Sequence, residues 1–116
     1  MADEQTEAAR AAARALLDDV SSEFLGRPGV AWGRMFSGQG LGVRGKIFAV
    51  ASRHGGLMVK IPEPRADELV AAGTVERVVM RGREMREWVA MPIGAGYDAW
   101  RDLVGEAHAY LERITP

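Results

Sequence analysis

The stretch RMFSGQGLGVRGKIFAV, Arg34 to Val50, decides how the chain is read. Within it, Gly40-x-Gly42-x-x-Gly45 has the spacing by which nucleotide-binding proteins cradle a phosphate on backbone amides. That use needs a strand before the first glycine and a helix opening near the last, because the helix N-terminus supplies free amides and a partial positive charge. Lys46-Ile47-Phe48-Ala49-Val50 follows instead, and β-branched and aromatic residues in that density are strand chemistry. The acidic residue expected about 20 positions further on has only Glu63 and Asp67 as candidates, where a short helix is starting. A kinase-type glycine hairpin, with Lys60 in LMVKI as its strand lysine, would need a catalytic loop and a metal-binding triplet that appear nowhere in the 116 residues. The stretch therefore reads as a glycine-rich hairpin and not as a nucleotide site. Gly38 and Gly40 permit a tight turn or bulge, and Gly45 turns between strands.

Working outward, short stretches separated by glycine read as strands over Val30 to Phe36, Leu41 to Arg44, Lys46 to Ala51 and Leu57 to Ile61. His54-Gly55-Gly56 forms a hairpin turn between the last two. Upstream, Ala9, Ala12, Ala13, Leu16, Leu17, Val20 and Phe24 recur every three or four residues and predict an amphipathic helix over 4–24, stopped by Gly26 and Pro28. Downstream, Pro62 and Pro64 close the fourth strand, and 65–72 reads as a short helix stopped by Gly73. Val75 to Met80 and Arg86 to Met91 read as strands around the turn Arg81-Gly82-Arg83. Trp100, Leu103, Val104, Ala107, Tyr110, Leu111 and Ile114 predict a last helix over 97–114. The fold class is α+β, a mostly antiparallel sheet of five to six strands with N- and C-terminal helices packed on it, in one domain over 1–116.

An apolar fraction of 47% and a charged fraction of 27% are ordinary for a globular domain. The absence of cysteine excludes disulfides, thiolate metal sites and cysteine nucleophiles, and is compatible with a reducing cytosol. No apolar run approaches the roughly 20 residues of a membrane span, and MADEQTEAAR is acidic where a secretory signal would be basic and then apolar. The expectation is a cytoplasmic protein with no membrane association.

The net charge of −1 conceals a gradient along the chain. Residues 1–25 sum to −4, while residues 26–65 sum to +6, with Arg27, Arg34, Arg44, Lys46, Arg53, Lys60 and Arg65 set against Glu63. Such a stretch is either a face for an anionic partner or a solvated sheet surface balanced by its helices, and the second reading is the simpler. RGREMREW, Arg81 to Trp88, is the most informative polar stretch. Arginine forks bind phosphates bidentately and a tryptophan stacks on bases or guanidinium groups. The plainer reading has Trp88 alternating inward with Ala90 to anchor the core, with Arg83 paired to a carboxylate such as Glu87. The candidate interaction residues are therefore Arg34, Arg44, Lys46, Lys60, Arg81, Arg83, Arg86 and Trp88. No catalytic constellation, metal site or cofactor site is expected. His54 falls in a turn and reads as a surface residue, and His108 with Glu106 and Glu112 is explained by charge pairing along a helix. Met35, Met58, Met80, Met85 and Met91 read as core filler.

Met35-Phe36-Ser37-Gly38-Gln39-Gly40-Leu41, Gly45-Lys46-Ile47-Phe48-Ala49, Leu57-Met58-Val59-Lys60 and Gly82-Arg83-Glu84-Met85-Arg86-Glu87-Trp88-Val89 together resemble the N-terminal domain of the TfoX/Sxy family. That pattern has an MFGG-like start, a glycine before a phenylalanine-containing strand and a GRPM-x-x-W block. The resemblance runs in order over roughly residues 30–110, with Ser37 at a usual glycine and Glu84 at a usual proline. It implies an α+β domain and a regulatory role linked to DNA uptake and competence, in which members act as transcriptional co-regulators, and longer relatives carry a second domain. The expected function is thus a non-enzymatic regulatory or interaction domain with a protein partner, as monomer or homodimer. The alternatives are direct nucleic-acid binding by a basic sheet face, and a small-ligand protein or enzyme of unknown substrate.

Overall fold

Six strands form one antiparallel sheet in the order β1-β2-β3-β4-β6-β5. They are β1 (Val30–Met35), β2 (Gly38–Val43), β3 (Lys46–Ala51), β4 (Gly56–Lys60), β5 (Glu76–Met80) and β6 (Arg83–Pro92). Among the described residues three helices accompany them, α1 (Ala2–Ser21), α2 (Glu63–Ala72) and α3 (Tyr97–Ile114), with a 3-10 turn at Ile93–Ala95 before the last. The structure is a computed structural model that describes residues 2–35, 38–52 and 54–116, and the side chains of these except 2–6 and 35. Phe36 and Ser37 of the family-like motif and Arg53 of the basic stretch lie outside the described residues.

All three helices contribute to one core on one side of the sheet. Leu41, Val43, Phe48, Ala49, Leu57, Val59, Val89 and Met91 meet Ala13, Leu17 and Val20 of α1, Ala66 of α2 and the α3 stripe Trp100, Leu103, Val104, Ala107 and Leu111. α1 and α3 lie over β3 and β4, and α2 lies over β5 and β6. Trp100 has no exposed surface, and its indole N–H donates to the Pro92 carbonyl at 3.0 Å, so the largest core side chain leaves no polar group unpaired.

α3 has the bounds that its 3.6-residue periodicity predicts. α2 starts earlier than predicted, at Glu63, because Pro64 sits in its first turn where its missing N–H costs nothing. Gly73 at φ 80 ends it, and Thr74 N–H returns to the Leu69 carbonyl. α1 ends at Ser21, short of the predicted Phe24. The hydroxyls of Ser21 and Ser22 donate to the carbonyls of Asp18 and Asp19, bonds that compete with the helix ladder. Phe24 is nonetheless buried, carried inward by the turns that follow.

Gly38 and Gly40, expected to permit a tight turn or bulge, are paired residues within β2. Gly33 of β1 pairs with Gly40, and Gly42 pairs with Ile47 across the β2–β3 ladder. On the sheet face away from the helices these glycines form a floor on which Ile47 lies. A Cβ at Gly40 would come within 2.5 Å of Ile47 Cγ2, and one at Gly42 within 2.9 Å of the Lys46 carbonyl oxygen. The need is close approach, and the register shifts between Leu41 and Gly42 rather than at Gly38 or Gly40. Past Gly45 the chain is the strand β3, so its amides belong to a ladder and no helix opens there to receive an anion.

Candidate interface at the end of the sheet

Antiparallel register sorts the eight candidate residues into separate places. Arg34 pairs with Gln39, whereas Val30 and Val43 pair at the other end of the same two strands, so Arg34 and the turn carrying Arg44 lie at opposite ends of the sheet. Lys60 pairs with Trp88 and Met80 with Arg83, which brings both to the end that holds the Arg44 turn. Lys60, Arg81, Arg83, Arg86 and Trp88 line one open groove of 820 Å³, together with Glu63, Met80, Glu84, Met85 and Glu87. The central basic stretch is therefore not one face. Arg34, Arg44 and Lys46 do not line this groove.

Arg44 is consumed by the fold. Its guanidinium donates to both oxygens of Glu112 at 3.1 and 3.2 Å, to the Glu112 carbonyl at 2.9 Å, and to the carbonyls of Thr115 and Pro116. A cation at a helix C-terminus also meets the negative end of the helix dipole. Arg44 thus fastens the end of α3 to the β2–β3 turn, an assignment no local pattern in the sequence announces.

The groove owes its shape to two irregularities. Between the pairs Arg77↔Val89 and Val79↔Glu84, β5 advances two residues while β6 covers five, so β6 bows outward around Met85 to Trp88. The guanidinium of Arg77 fills the gap, donating to the Arg86 carbonyl and to Asp67 of α2. In addition, β4 pairs with β6 only as far as Lys60↔Trp88, with Ile61 N–H reaching the Glu87 carbonyl, before the chain leaves at Pro62 for α2. Arg83 to Arg86 run on without β4 beside them, and the groove occupies the space it vacates. Bulges next to binding sites commonly re-aim a side chain in this way.

Trp88 does not anchor the core, contrary to the plainer expectation. Val89 and Met91 point into it, so their neighbours Trp88 and Ala90 fall on the opposite face beside Lys60 and Met58. Trp88 is half-buried at the groove. The methionines divide likewise: Met91 is in the core, while Met80 and Met85 line the groove and are not core filler. Arg83 does not pair with Glu87. Glu87 takes Lys60 at 3.8 Å and the hydroxyl of Tyr110, which it holds above the usual phenol range by accepting that hydrogen bond. Arg86 reaches Glu63 at 3.9 Å. Among the described residues, Arg81 and Arg83 form no ion pair.

The groove therefore carries four cations and three carboxylates. Lys60 lies beside Glu87 and the 82% exposed Arg86 beside Glu63, while at the β5–β6 turn Arg81 and Arg83 share the lining with Glu84. A nucleic-acid channel is lined by one sign of charge that tracks the phosphates, whereas this groove mixes both signs around Trp88, Met80 and Met85.

The histidines stay outside the groove. His54 is exposed, as expected. His108 is not the surface residue that charge pairing along a helix would suggest: it is 8% exposed, between the rings of Phe24 and Phe48. Its Nδ1 lies 3.3 Å from Arg27 Nη1, and among the described residues its Nε2 has no hydrogen-bond partner, with Glu112 Oε2 3.9 Å away. Burial, then the charge of Arg27, pushes His108 below the usual imidazole range, and Glu112 partly opposes the shift. Glu106 turns away to Arg65 at 2.8 Å. Among the described residues no group of three or more His, Asp or Glu could hold a metal ion, and no helix is long and apolar enough to cross a membrane. The chain matches no protein-family model, no curated protein and no solved structure.

Proposed function

We propose that this protein is a non-enzymatic regulatory domain that works by binding another polypeptide at the groove between the end of β4 and the β5–β6 hairpin. The observation that carries the reading is the gathering of Lys60, Arg81, Arg83, Arg86 and Trp88 into one open groove whose cations are interleaved with Glu63, Glu84 and Glu87. Exposed apolar and aromatic surface with arginine at its rim is what protein contacts enrich. The resemblance of residues 30–110 to the TfoX/Sxy N-terminal domain supports a cytoplasmic role in transcriptional regulation linked to competence, exercised through a protein partner.

The test is affinity capture from native lysate by the wild-type chain and by Trp88→Ala and Arg83→Glu, with the captured proteins identified. A protein recovered by the wild type and lost with both folded variants supports the reading. Capture that is identical for all three chains, or absent, removes it. Binding of duplex DNA whose affinity falls with salt at a log–log slope of about −0.9 per neutralised phosphate would replace it with the nucleic-acid alternative.

A further inference from the structure

Resting on that reading, we infer that the partner segment is an extended acidic peptide, lying in the strand position that β4 vacates beside Arg83 to Arg86. Three independent features of the groove specify this occupant.

The first is backbone geometry. β4 and β6 stay hydrogen-bonded to Ile61 N–H and the Glu87 carbonyl, and then β4 departs while β6 continues back to Arg83. The open volume lies along that unpaired length, bounded by Lys60 and Glu63 on one side and residues 80–88 on the other. A segment entering it in extended form continues the line of β4 and meets main-chain groups of β6, the mode by which sheets take up an added strand. A helix, about 10 Å across with its side chains, does not fit a single strand position.

The second is the charge left over. Lys60 and Arg86 each have a carboxylate close by, Glu87 at 3.8 Å and Glu63 at 3.9 Å, whereas Arg81 and Arg83 form no ion pair among the described residues. At the rim, Arg81 and Arg83 face outward with Glu84 as the only carboxylate among the groove's rim residues. The surplus favours carboxylates on the incoming chain and disfavours lysine. Glu63, Glu84 and Glu87 equally disfavour a continuous phosphate backbone, which would bring at least one of its charges against them.

The third is the apolar surface. Trp88, Met80 and Met85 lie partly open in the groove. Alternate side chains of an extended strand point to opposite faces. Acidic residues alternating with an uncharged or aromatic residue would thus place carboxylates at the arginines and an apolar side chain against Trp88.

The experiment uses the full chain and a short end-capped peptide in which glutamate alternates with threonine around one phenylalanine. Its counterpart has lysine for every glutamate, and a short DNA duplex forms the third arm. Binding is read by calorimetry and by tryptophan fluorescence, in which Trp100 and Trp32 are a constant background that Trp88→Phe isolates. Hydrogen exchange reads the amides of residues 83–86. The expected result is saturable binding of the acidic peptide and weaker or no binding of the lysine peptide. Affinity should fall about tenfold in Arg81→Asn/Arg83→Glu, as expected for losing two rim charge pairs. The fluorescence change should vanish in Trp88→Phe, and exchange should slow at 83–86. Asparagine is chosen at Arg81 because it tolerates the positive φ there. No binding of the acidic peptide, equal binding of the lysine peptide, an unchanged affinity in the double variant, or protection elsewhere each overturns the inference. Failure of the acidic peptide alongside binding of the lysine peptide at the same groove overturns only the acidic partner and leaves the interaction reading standing, whereas preferential binding of DNA overturns both.

Discussion

Two turns of this molecule share a sequence and a backbone and differ in everything else. Arg44-Gly45 joins β2 to β3, and Arg81-Gly82 joins β5 to β6. Both arginines have positive φ, 48 and 52, and the glycines follow at 85 and 76, the two-residue hairpin geometry that suits the twist of paired strands. At the first turn the end of α3 lies alongside, and five acceptors take up the guanidinium. At the second the hairpin projects past the end of β4, and the guanidinium is left for solvent or for a partner. An arginine's role is set by what the fold brings next to it, so identical local sequences yield a structural latch at one turn and an exposed arginine with no ion pair among the described residues at the other.

The strongest way to break the comparison is to strike the scaffold under one turn and not the other. Gly42→Val places a Cβ 2.9 Å from the Lys46 carbonyl oxygen, a backbone atom that cannot yield without shifting the β2–β3 ladder. A loss of about 2–3 kcal/mol is expected, the range of an overpacked interior. It should appear as a lower urea midpoint with an unchanged slope, while acidic-peptide affinity at the far hairpin, read in the folded fraction, stays as it was. A midpoint within error of wild type would mean that Ile47 and Lys46 do not lie on the glycine floor as described.

Exchanging the arginines is the next largest effect and the most direct comparison. Arg44→Ala removes the hydrogen bonds to α3 and should destabilise by about 1–2 kcal/mol, discounted from the bond count because both side chains of the Glu112 pair are partly solvated. Arg81→Asn should change stability by less than about 0.5 kcal/mol and should weaken peptide binding instead. Equal denaturation midpoints for the two variants would contradict the division of roles. Gly45→Ala and Gly82→Ala sharpen the same point from the other side. Neither Cβ would meet an atom within 4 Å, so each should lose only the cost of positive φ, about 1 kcal/mol, and the two losses should match.

Elements governed by local periodicity were legible in the sequence. α3 follows from a stripe of apolar residues at helical spacing, and both Arg-Gly turns follow from glycine's tolerance of positive φ. The strand after Gly45 was equally plain from its β-branched and aromatic content. What the sequence did not reveal depends on register between strands distant in the chain. Trp88 was expected inside because tryptophans fill cores, but a one-residue choice of phase flips every side chain of a strand, and that phase is set by Val59 opposite Val89. The bowing of β6 has no glycine or proline to announce it, and the Arg77 guanidinium that bonds the Arg86 carbonyl there comes from the neighbouring strand. Five of the eight candidate residues came together at the groove, and the three that did not shared only positive charge with them.

Acidification should act at the latched end and spare the free one, and this is the smallest of the expected effects. His108 is packed against Phe24 and Phe48 and meets Arg27 from the loop after α1, Glu112 on its own helix, and, through Glu112, Arg44 from the β2–β3 turn. Burial and Arg27 lower its proton affinity in the folded state, while the unfolded chain titrates near the ordinary value of about 6.5. Between those two points the unfolded state holds more protons, so the contribution is fully present above the unfolded value and is lost as pH falls through the folded one. Glu112 opposes the shift, which keeps the slope shallow. Protonation would also draw Glu112 toward Nε2 and away from Arg44, loosening the latch from within. Urea midpoints measured downward from about pH 7 should therefore decline in the wild type and decline less in His108→Leu, the difference isolating this imidazole from the surface carboxylates. Parallel declines in the two chains would place the pH sensitivity elsewhere and leave the Arg44 latch indifferent to the proton beside it.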